Sequence, residues 1–183
     1  MDVIEIIRSA AWYAGVLDKV DLYLEDEEEE YKQFAHDLLR AYNNVESEIA
    51  MNYLPLVEKE LFDTEDGELL FDNFSWRVIH ILNVYNEQGG KQEFELRPWG
   101  VITKPGEIYV EYTYVPDEKD FYDTVSFQPF VAQPLFVFGI LAEYYLVRGE
   151  FEEAAIWDKK YKDAISLSHQ MQKGKRMPSR GWL

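Results

Sequence analysis

The sequence has 183 residues, which is enough for one domain with its own hydrophobic core. Its 35 Asp and Glu residues against 18 Lys and Arg residues give a formal net charge of -17, which argues against nucleic-acid binding by the body of the protein. The absence of cysteine excludes disulfides and thiolate metal sites, and a hydrophobic content of 47% excludes an intrinsically disordered chain.

The N-terminal region predicts a helix followed by a short connector. Apolar residues recur at helical spacing between Val3 and Ala14, and Gly15 is placed to end this helix. We expect no secretory signal, because acids are mixed into this segment. The six consecutive acids Glu25 to Glu30 are interpreted as the solvated start of a second, long helix, since acidic side chains favour the positive end of a helix dipole.

The second helix has the strongest amphipathic pattern of the chain. Apolar residues recur at spacings of three and four from Tyr31 to Ile49, so we expect this helix to reach at least Asn52. Pro55 should kink it or end its first section, after which residues 56–61 continue as helix. The segment from Thr64 to Gly67 is predicted to be a turn.

The middle third changes to the alternating period of β-strands. Gly89-Gly90 and Pro105-Gly106 are predicted turns between the strands, so a small antiparallel sheet is expected between helices. In the last strand both faces carry aromatic residues, so one face is expected to pack on helices and the other on a neighbouring subunit. The predicted strands cover residues 69–71, 76–85, 92–97 and 106–115.

The chain then returns to helix after a loop. Residues 135–148 and 151–171 are predicted to form a helical hairpin that resembles a tetratricopeptide hairpin, although one copy is not a repeat array. The apolar run from Leu135 to Val147 spans roughly 20 Å as helix, too short for a bilayer core of roughly 30 Å, so we expect a buried helix and no membrane span. The predicted seam consists of Tyr144, Tyr145, Phe151, Ala155 and Tyr161.

No reaction motif occurs in the sequence. It has no phosphate-binding glycine pattern and no nucleophile elbow, and carboxylate pairs are too abundant to indicate a site. The histidines His36, His80 and His169 lack partners at metal-ligand spacing and are interpreted as structural or surface residues. We therefore predict no enzymatic activity, no cofactor and no metal.

The last eleven residues form a basic segment in this acidic protein. Residues 173–183 contain four Lys and Arg residues, no acid, and a terminal Trp-Leu pair. This composition predicts an extended docking arm, in which Trp182 is the main anchor and Pro178 limits the entropy lost on binding. The predicted partner-binding residues are Lys173, Lys175, Arg176, Met177, Arg180, Trp182 and Leu183.

Several segments, in chain order, resemble head–tail connector proteins of bacteriophages, also called adaptor or head-completion proteins. They are the long helix with Ala41-Tyr-Asn-Asn-Val-Glu-Ser-Glu-Ile-Ala50, the inserted strands, the hairpin with Ala142-Glu-Tyr-Tyr-Leu-Val-Arg-Gly-Glu-Phe-Glu-Glu-Ala154, and the ending Met177-Pro-Ser-Arg-Gly-Trp182. The resemblance covers the architecture of the whole chain, with loose motifs and no catalytic signature.

The resemblance implies a structural virion protein at the capsid vertex, assembled in the host cytoplasm. Its subunits would form a ring, usually a dodecamer, that joins the portal to a downstream tail or neck protein and continues the DNA channel. The C-terminal arm would dock on the portal, and DNA would pass without specific binding, which suits an acidic body. A monomeric helical binding scaffold and a small hydrolase with unrecognised carboxylates stay open as alternatives.

These expectations together predict an α+β protein. Its main part is a bundle of about four helices with an inserted small antiparallel sheet. Residues 1–172 form a single helical domain with the β insertion at about 68–115, and residues 173–183 form the docking arm.

Overall fold

The computed structural model describes residues 1–127 and 131–172. Three helices precede all the strands and two follow them, which confirms the predicted α+β class. In these ranges the helices are α1 (Val3–Tyr13), α2 (Leu17–Asp26), α3 (Lys32–Glu48), α4 (Gln133–Val147) and α5 (Phe151–Gln172), and the strands are β1 (Leu56–Thr64), β2 (Glu68–Leu70), β3 (Arg77–Asn86), β4 (Lys91–Gln92), β5 (Glu95–Arg97), β6 (Gly100–Ile102) and β7 (Gly106–Val115).

The chain divides into two compact units, which are described separately. The helical unit consists of Met1–Val45 and the described residues from Lys119 onward. The sheet unit consists of Glu46–Glu118, so the boundary between the two falls inside α3.

In the helical unit, α4 is the most deeply buried helix. Its apolar side chains cover the whole circumference, as expected for a helix with neighbours on several sides. Gly139 allows a close approach at its centre, because an added Cβ atom would lie 2.8 Å from Val45 Cγ1 and 3.0 Å from Tyr161 Cε2. The absence of a side chain at Gly139 thus lets α4 fit between α3 and α5.

The hairpin of α4 and α5 is confirmed, but its seam was only partly predicted. Tyr144 and Tyr161 are buried as expected, whereas Phe151 is 68% exposed and Ala155 is also exposed. Ala154 and Ile165 are buried on α5 instead of those two residues. Ala155 was misplaced because it lies about 100° around the helix from Ala154.

The N-terminal helices differ from the prediction around the acidic run. A helix, α2, occupies most of the expected connector, and it ends at Asp26 inside the run. Glu27 has a left-handed conformation with φ of 55°, and its amide bonds to the carbonyl of Tyr23. The run therefore contains the end of α2 and leads through a 3-10 turn into α3, where Glu29 and Glu30 lie before the positive N-terminal end of the helix.

The predicted helical continuation at residues 56–61 is wrong. The helix ends in a π-helical turn at Ile49–Tyr53, and after Pro55 the chain forms strand β1. This strand pairs with β7 from Leu56 to Thr64, and the non-local pairing overrides the local helical pattern. The β insertion consequently begins at Leu56 and not near residue 68.

The sheet unit contains two antiparallel sheets that share one core. The larger sheet has the strand order β1-β7-β3-β4 and the smaller has β2-β6-β5. The turns at Gly67 and Gly89 are confirmed, and both glycines have positive φ. The core is formed by Leu69, Phe74, Val84, Val101, Ile108, Val110 and Tyr112, which come from both sheets.

Candidate interaction surfaces

The predicted docking arm lies outside the described residues. This applies to every residue proposed to bind a partner: Lys173, Lys175, Arg176, Met177, Arg180, Trp182 and Leu183. The candidate surfaces described below are therefore formed by other residues, whose side-chain contacts the structure gives.

One face of the larger sheet is turned away from the core. Strand alternation places Val57 and Leu61 on this face, and their side chains are 51% and 52% exposed. Leu61 lies opposite Tyr109 of β7, which in turn lies opposite Tyr85 of β3. We call this surface the outer face and define it by Val57, Lys59, Leu61, Asn83, Tyr85, Tyr109 and Glu111.

Glu111 is the polar centre of the outer face. Its Oε2 atom accepts hydrogen bonds from Asn83 Nδ2 at 2.6 Å and from the Tyr85 hydroxyl at 3.1 Å. The hydrogen bond from Asn83 is the main cause of a lowered pKa of Glu111, with further contributions from Tyr85 and from the charges of Lys59 and Lys91. Glu111 is thus held as a carboxylate whose hydrogen bonds are made within the chain.

Lys59 and Lys91 lie beside the aromatic rings of the same face. Lys59 Nζ is 4.6 Å from the ring centroid of Tyr85 and 5.1 Å from that of Tyr109. Lys91 Nζ is 5.9 Å from the Tyr85 ring and donates a hydrogen bond to Asn83 Oδ1 at 2.7 Å. These cation–π contacts order the two aromatic rings and balance the charge of Glu111.

One end of the larger sheet is acidic. Glu107 of β7 lies opposite Asp63 of β1, and its hydrogen bond with Glu87 is the main cause of a raised pKa of Glu107. The negative charges of Glu87 and Asp63 act in the same direction. Because this end of the sheet carries three acids, it disfavours an acidic partner.

On the core side of the larger sheet, a hydrogen bond links Tyr112 of β7 to Glu60 of β1. The Tyr112 hydroxyl donates to Glu60 Oε2 at 2.8 Å, and the amide of Ser75 donates to the same atom at 3.2 Å. Burial raises the pKa of Glu60, but these hydrogen bonds outweigh it and the pKa is lowered. Burial, followed by the bond to Glu60, raises the pKa of Tyr112 well above its usual range.

In the helical unit, α1 and α2 form an open groove of about 560 Å³. Arg8 spans it, with Nε 2.8 Å from Asp21 Oδ1 and a second ion pair to Glu25. Trp12 and Tyr13 lie at one side and are 63% and 50% exposed. We call this surface the α1–α2 groove; it is lined by Arg8, Ser9, Trp12, Tyr13, Leu17, Asp21 and Glu25.

Aromatic contacts link the α1–α2 groove to α5. The rings of Tyr13 and Trp157 are 5.5 Å apart, and Trp157 also contacts Phe138 at 5.8 Å. Lys160 Nζ lies 3.9 Å from the Trp157 ring centroid. Trp157 and Phe138 are half-buried, so the exposed aromatic surface is mainly that of Trp12 and Tyr13.

A smaller cavity lies between α3 and α4 and has the volume of about one water molecule. Its volume is about 30 Å³, and it is lined by charged groups that include Asp37, Arg40 and Glu143. Asn44 Nδ2 donates to Glu143 Oε1 at 3.2 Å across it. A cavity of this size does not accommodate an organic substrate.

His36 belongs to the helical unit and His80 to the sheet unit. His36 of α3 has its Nε2 atom 3.0 Å from the Tyr23 hydroxyl and packs edge-on against Phe121, whereas His80 is exposed on β3. No group of three or more His, Asp or Glu residues arranged to hold a metal ion occurs among the described residues. Of the helices in residues 1–127 and 131–172, none is sufficiently long and apolar to cross a membrane.

Comparison with known proteins adds no assignment. No protein-family model matches the chain, and no curated protein sequence matches it. The resemblance to head–tail connectors therefore stays a prediction that rests on the order of elements and on the sequence segments quoted above.

Sequence reasoning found the outer face in part and missed the α1–α2 groove. The alternation in residues 108–115 indicated two aromatic faces, but β1, which supplies Val57 and Leu61, was interpreted as helix. The groove needs α2, which was interpreted as a connector. A signal for α2 was present, because Val20, Leu24 and Leu17 recur at spacings of three and four.

Proposed function

We propose that this protein is a structural subunit of a phage neck. Copies of the chain form a ring that joins the capsid portal to a tail or neck protein and continues the DNA channel. The sequence resemblance supports the choice of the portal as partner. The structural observation that carries the proposal is the outer face of the larger sheet.

The outer face supports a subunit contact because its apolar side chains are not part of the core of the sheet unit. The core of the sheet unit lies on the opposite face of the same strands. Val57 and Leu61 nevertheless expose half of their side-chain surface, beside the ordered rings of Tyr85 and Tyr109. Exposed aliphatic groups beside half-buried aromatic rings, with internally satisfied polar neighbours, are suited to the centre of a protein interface.

The charge of the chain supports a conduit that does not retain DNA. With a net charge of -17, a ring of such subunits repels a polyanion over most of its surface. This makes sliding of DNA easier than binding. The basic residues of the C-terminal segment 173–183 would serve the portal contact and not DNA.

The first experiment measures assembly. The full chain is mixed with the portal protein of the same phage and studied by native mass spectrometry and negative-stain microscopy. We expect closed rings, formed alone or on the portal. A chain that stays monomeric with the portal present contradicts the proposal and favours the helical scaffold.

A double variant tests the outer face. Val57→Thr with Leu61→Thr retains the β-propensity of both positions and removes much of their apolar surface. We expect unchanged circular dichroism and at least a tenfold loss of assembled rings, which corresponds to about 1.4 kcal/mol. The matched control is Leu70→Thr with Leu96→Thr, because both residues are exposed on strands of the smaller sheet.

Equal assembly by the wild type and the outer-face variant would remove the outer face from the proposal. Deletion of residues 173–183 tests the second contact separately. The truncated chain should stay folded and lose attachment to portal rings. Attachment at the wild-type level would show that the C-terminal segment is not the docking arm.

A further inference from the structure

The α1–α2 groove has the properties of a peptide-binding site. Trp12 is 63% exposed and Tyr13 is 50% exposed, although they are neighbours in sequence and their rings are in contact at 4.8 Å. Two adjacent, exposed aromatic side chains beside a groove of about 560 Å³ are unusual for the surface of a monomer. Such a surface favours a ligand that carries an aromatic or aliphatic anchor.

The charge around the groove selects a basic ligand. From Leu17 to Glu30 the chain carries eight acids and a single base, Lys19. Arg8 crosses the groove and pairs with Asp21 and Glu25, so it offsets only part of this charge. The remaining carboxylates would attract Lys and Arg side chains and repel an acidic peptide.

The C-terminal segment of this chain matches both requirements. Residues 173–183 contain four basic residues and no acid, and they end in Trp182 and Leu183. The rest of the protein is strongly acidic, so this segment is complementary to it in charge. Its composition therefore fits the aromatic side and the acidic side of the groove together.

The length of the segment is sufficient for docking within one chain. Tyr13 at the groove contacts Trp157 of α5, and from Trp157 to Gln172 this helix extends for ~22 Å at 1.5 Å per residue. Trp182 is ten residues beyond Gln172, and an extended chain of that length spans ~33 to 36 Å. Because it is tethered, the segment has an effective concentration of about 1 mM near its own groove. The segment of a second copy competes only when the protein concentration exceeds this value.

We propose that the α1–α2 groove binds the C-terminal segment 173–183 of the same chain, with Trp182 against Trp12 and Tyr13. The inference goes beyond the proposed function, and it concerns the free subunit. A partner that needs the C-terminal segment has to compete with the groove. Docking in the free subunit therefore delays partner binding until the partner offers a tighter site.

Limited proteolysis of the full chain tests the docking, because all four basic residues of the segment are trypsin sites. Trp12→Ala with Tyr13→Ala should raise the rate of cleavage after Lys173, Lys175 and Arg176 by about fivefold or more, since a docked segment is protected. Cleavage after Lys91 of the sheet unit serves as the internal reference. The matched control, Phe151→Ala with Ile156→Ala, also removes two exposed apolar side chains and should leave the rate unchanged.

Two further measurements separate the outcomes. The protection should be independent of protein concentration over about a hundredfold range, whereas protection that grows with concentration would assign the groove to the segment of a second copy and overturn docking within one chain. Trp182→Ala, which changes no residue of the groove, should shift the indole N–H resonance of Trp12 in a heteronuclear NMR spectrum. If Trp182→Ala leaves both the Trp12 resonance and the rate of cleavage of the segment as in the wild type, the proposal is overturned. This test does not depend on whether the groove variant folds.

Discussion

In the helical unit α4 is buried on several sides from Leu135 to Tyr144. In the sheet unit, β1 alternates between half-buried and exposed residues up to Asp63, and β7 buries Ile108, Val110 and Tyr112 on one side. The helical unit thus uses the apolar residues of its central helix for its own stability. The sheet unit buries one side of its larger sheet and leaves Val57 and Leu61 exposed on the other. Stability and partner binding are therefore expected to respond to mutations in different places.

The largest loss of stability is expected at the centre of the helical unit. Phe136 is fully buried and stacks on Tyr42 with ring centroids 5.7 Å apart. Phe136→Ala should lower the free energy of unfolding by about 3 to 5 kcal/mol, because it leaves a cavity. Denaturant unfolding followed by circular dichroism measures the change. Phe151→Ala is the control, and a comparable loss at this exposed position would contradict the difference drawn between buried and exposed sites.

A substitution at Gly139 tests the close packing of α4. Gly139→Ala adds a methyl group 2.8 Å from Val45 Cγ1, so it should destabilise the protein by about 1 to 3 kcal/mol despite the better helix propensity of alanine. A Val45→Ala background removes both contacts with Val45 and leaves only the contact with Tyr161 Cε2 at 3.0 Å. A double-mutant cycle should therefore give a coupling of at least about 1 kcal/mol, and strict additivity would show that the two residues are not in contact.

The Tyr112–Glu60 hydrogen bond tests the core side of the larger sheet. Tyr112→Phe removes the donor without changing the ring and should cost about 1 to 2 kcal/mol near neutral pH. Because the pKa of Glu60 is lowered in the folded state, its contribution is present above the ordinary glutamate pKa and is lost as the pH falls through the folded value. The difference between wild type and variant should shrink below about pH 4, and a constant difference would contradict this assignment.

The smallest change in stability is expected at the outer face. Val57→Thr with Leu61→Thr should alter the free energy of unfolding by less than about 1 kcal/mol, since both side chains are half exposed. The same variant is expected to lose ring assembly. A large loss of stability would instead mean that these residues belong to the folding core, and the comparison between the two units would fail.

Elements with a clear pattern in their own residues were predicted from the sequence, whereas elements that depend on contacts with distant residues were missed. The hairpin of α4 and α5 was predicted from a long apolar run and a tetratricopeptide-like sequence, and the strands β3 and β7 from alternation and their β-branched and aromatic residues. Strand β1 was missed because Glu58, Lys59 and Glu60 interrupt its apolar pattern, and only its pairing with β7 makes it a strand. Helix α2 was missed because half of its residues are charged and Val20 is its one buried residue.

The candidate surfaces follow the same rule. The aromatic side chains of β7 were visible as an alternating pattern, so a second face of the sheet could be expected. The positions of Lys59 and Asn83 beside Glu111 depend on strand register, which a single sequence does not specify. The α1–α2 groove depends on the approach of two helices, of which α2 was not predicted and ends inside the acidic run.

The strand order of the larger sheet has a consequence for growth by edge pairing. The edges of this sheet are β1 and the two-residue strand β4, so the edge beside β3 offers only a very short strand for pairing with β1 of another copy. Glu58 and Glu60 also place carboxylates on the core side of the outermost strand. Inward charges on an edge strand are a known protection against uncontrolled sheet extension, so Glu58 and Glu60 disfavour the growth of fibres from this edge.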